Sequence, residues 1–258
     1  MKRREFLKSS LACLTFASFA EVPTVQAIGP GQRFRLVRIR HQGGWDTHHG
    51  AVSSFAREFS LRSSVDVDPN VPGVSLSDPE FLRHPMAVLI GDRDFSFTEK
   101  ERNHLKRWIE MGGFLLVDNA GRHKQSDAFE KAVRREFESM FPRRAFSRVS
   151  PDHVIYRTFY RLDYPAGRAI HKPYIDGIVL GKRVAVILNH NDLFGAFAPA
   201  GLGRYKLVPQ PGGESQREIA MRFAVNIALY GLCLHYKDDQ VHLDYLLHRR
   251  KWKVRRPR

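Results

Sequence analysis

Cysteine is nearly absent from this chain. Of 258 residues only two are cysteine, Cys13 and Cys233. That rules out the disulfide framework that staples small exported domains. There is no dense zinc-ligand motif, no Gly-x-Ser-x-Gly nucleophile elbow and no GxxxxGK[ST] phosphate loop. The apolar run at residues 9–20 is shorter than the about 20 residues that a membrane-spanning helix needs. Acid is also scarce: 27 Asp and Glu stand against 42 Lys and Arg, for a net charge of +15. No internal repeat or low-complexity run is visible.

What is present begins with a leader. Lys2, Arg3 and Arg4 precede the apolar run, and Val25-Gln26-Ala27 supplies small residues at cleavage spacing. This is the pattern of a secretory signal. Arg3-Arg4-Glu5-Phe6-Leu7-Lys8 resembles the twin-arginine export motif, which implies folding in the cytoplasm and work in the periplasm. Residues 1–27 are therefore expected to be a signal peptide and 28–236 a single α/β domain. Residues 237–258 are expected to form a basic tail. Cys13 sits too early, after too poor a lipobox, for a lipoprotein. Past the leader Cys233 alone remains, in an apolar helical stretch, and is expected to be a buried, inert thiol.

The charge is unevenly spread. Without the leader it is +13, and without the last eleven residues, HRRKWKVRRPR, it falls to +6. Beyond the inner membrane nucleic acid is not an expected partner. The tail reads either as a solvated end or as a segment that docks on anionic lipid at about 1 kcal/mol per Lys or Arg. Trp252 within it favours the interface.

The runs MAVLIGD (86–92), FLLVD (114–118) and VAVILNHND (184–192) suit parallel strands buried on both faces. FRLVRIRH (34–41) is a more mixed strand. Val52, Phe55, Ala56 and Phe59 repeat with helical period. Thr98 and Glu101 form a capping box for a helix that Gly112-Gly113 stops. Ser215 and Glu218 suggest a second capping box, and a further helix is expected over 126–140. Strands alternating with helices predict an α/β fold with a mainly parallel sheet. Residues 143–181 read as an insert with short strands near Val154–Tyr160 and Ile175–Leu180. A short amphipathic helix is expected around Val241–Leu247.

Ligands of open parallel sheets bind beyond the carboxyl ends of the strands. Asp46 follows the first strand, and Asp92 and Asp94 follow the second. Asp118 and Asn119 end the third; Asn189, His190, Asn191 and Asp192 end the fourth. These residues either cap the following helices or line a crevice, and as a group they point to a ligand site. In HQGGWDTHHG (41–50), Gly43-Gly44 permits a tight turn, and Asp46 or Thr47 is placed to cap a helix whose first turn holds His48 and His49. Adjacent helical positions lie about 100° apart, so the two histidines do not chelate one ion. A metal there would have to borrow His41, Asp46 or His190, and none is expected. The glycine turn and helix start suit an anion instead, with Arg38 and Arg40 on one strand face to assist. Pro151-Asp152-His153 reads as a loop with an Asp–His hydrogen bond, either a base and its orienter or, as expected, a structural turn. His104, His123, His171 and His235 show no partner pattern.

The order of WxxxxxAVxxF from Trp45, VSLSDPEFLRHPMAVLIGD (74–92), LxxWIEMGGFLLVDNAG (105–121), Phe141-Pro142 then PDHVIYRTFY (151–160), DGIVLGKRVAVILNHNDL (176–193) and VNIALYGL (225–232) resembles the bacterial domain-of-unknown-function family 4159, over residues 34–236. The resemblance implies a three-layer sandwich similar to flavodoxin-like and class I glutamine amidotransferase-like folds. It also implies an envelope setting, since some relatives sit in larger membrane-linked proteins. Amidotransferases of that fold carry a cysteine in a strand-to-helix elbow. Here the third strand ends Val117-Asp118-Asn119-Ala120-Gly121, so thiol-based amide hydrolysis is unsupported.

Three functions remain. In the first, the crevice of Asp46, His48, Asp92, Asp118, His190 and Asp192 binds an anionic ligand or an envelope protein, with no cofactor specified. In the second, Asp46, Asp118 or Asp192 acts with a histidine such as His190 in hydrolysing an envelope glycan or ester. In the third, the basic tail docks the domain on membrane.

Overall fold

A parallel strand covered by helices on both sides is apolar along most of its length. β3 (Met86–Gly91) and β4 (Phe114–Asn119) are buried at all six positions each, and only the last two residues of β4, Asp118 and Asn119, are polar. The computed structural model describes residues 33–121 and 124–235. The expected twin-arginine leader, the basic tail and the expected helix near 241–247 lie outside those residues, as does His123.

Seven strands form one mixed, mostly parallel sheet in the order β2-β1-β3-β4-β7-β6-β5. β1 (Leu36–Ile39), β2 (Gly73–Val74), β3, β4 and β7 (Arg183–Asn189) run parallel. β6 (Asp176–Leu180) pairs antiparallel with β7, and β5 (Ser147–Arg148) antiparallel with β6. The insert thus supplies an antiparallel margin to a parallel centre. A separate hairpin joins β8 (Pro199–Gly201) to β9 (Arg204–Tyr205).

Four α-helices lie among the described residues: α1 (Ala51–Ser63), α2 (Glu99–Glu110), α3 (Lys124–Met140) and α4 (Gly213–His235). Side chains alternate across a strand, and the two hydrophobic cores follow that alternation. Leu36, Met86, Val88, Ile90, Phe114 and Leu116 pack with α1 and α4. Val37, Ala87, Leu89, Leu115 and Val117 pack with α2 and α3. Fully burying one such aliphatic side chain stabilises by about 1.5–3 kcal/mol. None of the described helices is long and apolar enough to cross a membrane.

The Thr98–Glu101 capping box forms in both directions. Three local expectations need correction. α1 starts at Ala51 with Gly50 as its N-cap and no side-chain cap, so His48 and His49 stand in the turn before it. Ser215 lies inside α4, and Glu218 is drawn to Arg62 and Arg222 rather than to a helix start. Here Gln216 accepts from Gly212 N–H. Val154–Arg157 is a single 3-10 turn rather than a strand.

Candidate functional site

β4 and β7 pair in register to their last residues, so Asp118 stands beside Asn189. Both have the parity of Leu116 and Ile187, which face α1 and α4. His190, one residue on, turns to the opposite face, toward α3. One step of strand alternation therefore sends two neighbouring polar residues into separate networks.

On the α1/α4 face Asp118 is fully buried. Its Oδ1 accepts from Leu193 N–H at 2.9 Å and from Asn189 Nδ2 at 2.7 Å, and its Oδ2 accepts from Phe194 N–H at 2.8 Å. It thus pins the start of the short helical turn Phe194–Phe197. Burial, then the charge of Asp192, raises its pKa to about 6. Asp192 is also fully buried and holds φ at 53°, a left-handed conformation that Asp tolerates better than most residues. Its Oδ1 meets His48 Nε2 at 2.7 Å and accepts from Gly195 N–H at 3.2 Å; its Oδ2 accepts from Arg168 Nε. A Cβ on Gly195 would sit 2.3 Å from this carboxylate, so only glycine fits there. Burial works against charge on His48, but the hydrogen bond and charge of Asp192 outweigh it and raise its pKa. His48 Nδ1 has no hydrogen-bond partner among the described residues.

The loop bearing Arg168 is held by two buried amides. Asn191 Oδ1 accepts from the N–H groups of His171 and Lys172, and its Nδ2 donates to the carbonyls of Pro165 and Lys172. Gln216 Nε2 donates to the carbonyls of Gly167, Arg168 and Gln210. Between this loop and residues 206–210 lies a cleft of about 420 Å³, with Arg168, His171, Lys206 and Gln210 in its lining and no carboxylate. That volume is within the range of small-molecule sites.

On the α3 face Glu130, Asp176 and His190 come together closely enough to suggest a cation site. Their charge is already answered. Lys172 Nζ lies 3.0 Å from both Glu130 oxygens, and Arg134 bonds to Glu130 and Asp176. His190 Nδ1 lies 3.2 Å from Glu130, and its Nε2 is 3.3 Å from Asp176 without hydrogen-bond alignment. Burial opposes charge on Glu130, but His190, Arg134 and Lys172 hold its pKa well below the usual carboxylate range. Burial likewise opposes charge on His190, yet Asp176 and Glu130 raise its pKa. A divalent ion would have to displace two resident cations.

The first turn is built differently again. Arg38 bonds to Asp46, and Asp46 accepts from exposed His49 at 2.9 Å. Arg38 and Arg40 flank the Trp45 ring, at 4.9 and 5.5 Å from its centroid. His41 Nδ1 accepts from Gly43 N–H, so its Nε2 donates to Ile90 O at 2.8 Å. Burial lowers its pKa to about 4, which makes it a neutral staple of the loop. Gly44 turns the chain at φ +90° beside Asp92, whose charge meets Arg93.

Residues 35–232 match the family described as Domain of unknown function (DUF4159). The chain belongs to it. No curated protein matches the chain.

In this DUF4159 chain the expected strand-end residues divide into three groups. His48, Asp118 and Asp192 meet on the α1/α4 face. His190 belongs to the α3 face. Arg38, Arg40, Gly43, Gly44, Asp46 and Asp92 form the outer turn, and Asp94 pairs with Arg135. Asn119 is buried and accepts from Gly121 N–H. Asp152 and His153 form no hydrogen bond with each other; His153 instead accepts from Ile155 N–H and packs against Tyr230. Cys233 is half-buried in α4, and burial raises its pKa. Sequence reasoning missed Arg168, Lys172, Asp176 and Gln216, whose partners are distant in the chain. Glu130 was also missed, although its i, i+4 spacing to Arg134 was a readable signal.

Proposed function

We propose that this domain binds a ligand at the carboxyl edge of the sheet, in the cleft beside the Asp192 junction, and performs no thiol chemistry. The observation that carries this reading is Arg168. Asp192 holds its guanidinium on one side, and the cleft lies on the other. The parallel centre with helices on both faces supports an amidotransferase-like arrangement, without the nucleophile, since β4 ends in Asp118-Asn119 where a cysteine would be needed. The twin-arginine motif and basic composition support work in the periplasm, with the tail docking on anionic lipid. Fractionation of a tagged chain with and without Arg3-Arg4 tests the route, and salt-sensitive liposome co-sedimentation tests the tail.

Native mass spectrometry of protein purified from its own compartment tests the binding reading. Wild type should retain a small molecule that Val208→Trp, which fills the cleft from an exposed position, loses. Equal retention by both, or apo masses for both after exposure to envelope extract, would sink it.

A second reading has one observation in its favour. His48 is oriented by Asp192 and keeps Nδ1 open, the arrangement of a general base acting on water. The glycosidic version is not favoured by the geometry, because Asp118 and Asp192 are buried and committed to N–H donors, and the more exposed Asp46 is paired with Arg38 and His49. Ester hydrolysis would then rise with pH as His48 loses its proton, and would vanish in His48→Gln. Hydrolysis equal in the variant and wild type would exclude this base.

A further inference from the structure

We propose that the cleft is an oxyanion subsite, in which Arg168 and Lys206 grip the carboxylate or phosphate of a small ligand. This rests on the reading that the domain binds a ligand at this edge, and it names the chemistry of that ligand.

A guanidinium carries five N–H donors in a planar fork. At Arg168 the Nε donor is taken by Asp192, while the two Nη groups have no acceptor among the described residues. The side chain is only 14% exposed, and its Nη groups are not among the buried polar atoms without a partner, so they are open to solvent, as a residue lining the cleft can be. The free end of the fork is the edge that suits bidentate contact with a carboxylate or phosphate.

The surroundings select the same sign of charge. Asp192 is the acid beside Arg168, and Arg168 and His48 together answer its charge. Lys206 stands exposed on the other wall, with no carboxylate partner among the described residues. His171 adds a third nitrogen-bearing side chain to the lining. A cationic ligand would meet two like charges, and a neutral one would leave Lys206 without a carboxylate or phosphate partner.

The walls are set before a ligand arrives. Asn191 fixes the loop that follows Gly167, and Gln216 ties that loop to Gln210, whose N–H also donates to Arg168 O at 2.8 Å. A Cβ on Gly167 would lie 2.0 Å from Asn191 O, so the close approach that sets Arg168 against Asp192 requires glycine. Positioning a fork on a preset frame lowers the ordering cost of binding.

The test is titration of the full chain, labelled with ¹⁵N, by inorganic phosphate, malonate, chloride and glucose, followed by NMR. Phosphate or malonate should shift Gly167, Arg168 and Lys206 resonances saturably, while chloride at equal ionic strength should not. Saturation by one anion alone identifies the ligand as a phosphate or as a carboxylate. Arg168→Lys, which keeps the charge and loses the fork, should weaken binding about tenfold. Lys206→Gln, at an exposed position, should weaken it less. Shifts that track chloride, or saturation unchanged in both variants, overturn the inference. Shifts of residues 167–171 by glucose but by neither anion would remove the oxyanion subsite and leave the binding reading standing. No shift there by any probe would remove both.

Discussion

On the α3 face two carboxylates, Glu130 and Asp176, meet two permanent cations, Arg134 and Lys172. On the α1/α4 face Asp192 meets one, Arg168, and Asp118 meets only Asn189 and backbone N–H donors. The first network closes on itself, and the pKa values of both its carboxylates are lowered. The second is short of positive charge, and protons make up the difference: Asp118 and His48 both have raised pKa values. The shortage coincides with spare donors on Arg168 and an open nitrogen on His48. The donors left over, rather than the net charge of the buried pair, are what a ligand can use.

Breaking the Asp118 pins should cost most. Asp118→Ala strands two buried N–H groups and the Asn189 amide, and should lower stability by about 3–5 kcal/mol in urea unfolding. A loss under about 1 kcal/mol would show that the Phe194–Phe197 turn is held by something else.

Glu130→Ala attacks the closed network and should cost about 2–3 kcal/mol at neutral pH. Its sign with pH is set by the lowered pKa. The stabilisation is present above the ordinary glutamate value of 4.5 and is lost as pH falls through the folded value, so wild type and variant should converge in acid. A gap that widens in acid would contradict the closed network.

Asp118 should behave oppositely. Its folded pKa of about 6 lies above the ordinary 3.8, so its protonated form favours the fold. That contribution is complete below about pH 4 and fades as pH rises through 6. The stability difference between wild type and Asp118→Asn, measured from pH 4 to 7, should shrink as pH rises. A flat difference would mean that burial and the charge of Asp192 do not raise the Asp118 pKa.

The smallest effects compare two neighbours in one turn. His48→Ala, which removes a buried partner of Asp192, should cost about 1–2 kcal/mol. His49→Ala, 82% exposed and paired only with Asp46, should change stability by less than about 0.5 kcal/mol. Equal effects would erase the distinction drawn between them.

Much of the frame was legible. Strands β3, β4 and β7 stand out as apolar runs, and the Thr98–Glu101 box marks the start of α2. The Ser215–Glu218 reading failed because Arg62, on α1, claims Glu218. Asp118 and His190 both belong to strand ends, as their positions imply, yet they never meet. Alternation assigns them to opposite faces, and that follows from strand parity once register is known. The outer turn misled for a related reason. HQGGWDTHHG is rich in site-like residues, but Arg38, Trp45 and Asp46 largely satisfy one another, and of the histidines His41 is a buried staple and His48 alone reaches the Asp192 junction.

The sequence by itself determined the alternation of strands and helices, the burial of the central strands on both faces, and the absence of a thiol at the end of β4. These are properties of residue type and short-range period. Tertiary structure alone decided which charges meet. His48 and Asp192 lie 144 residues apart, and Arg168 reaches Asp192 from a loop 24 residues earlier. Apolar burial needs only a face, which a local pattern supplies. An ion pair needs a particular partner at a particular atom, and that is set only once the loops have packed.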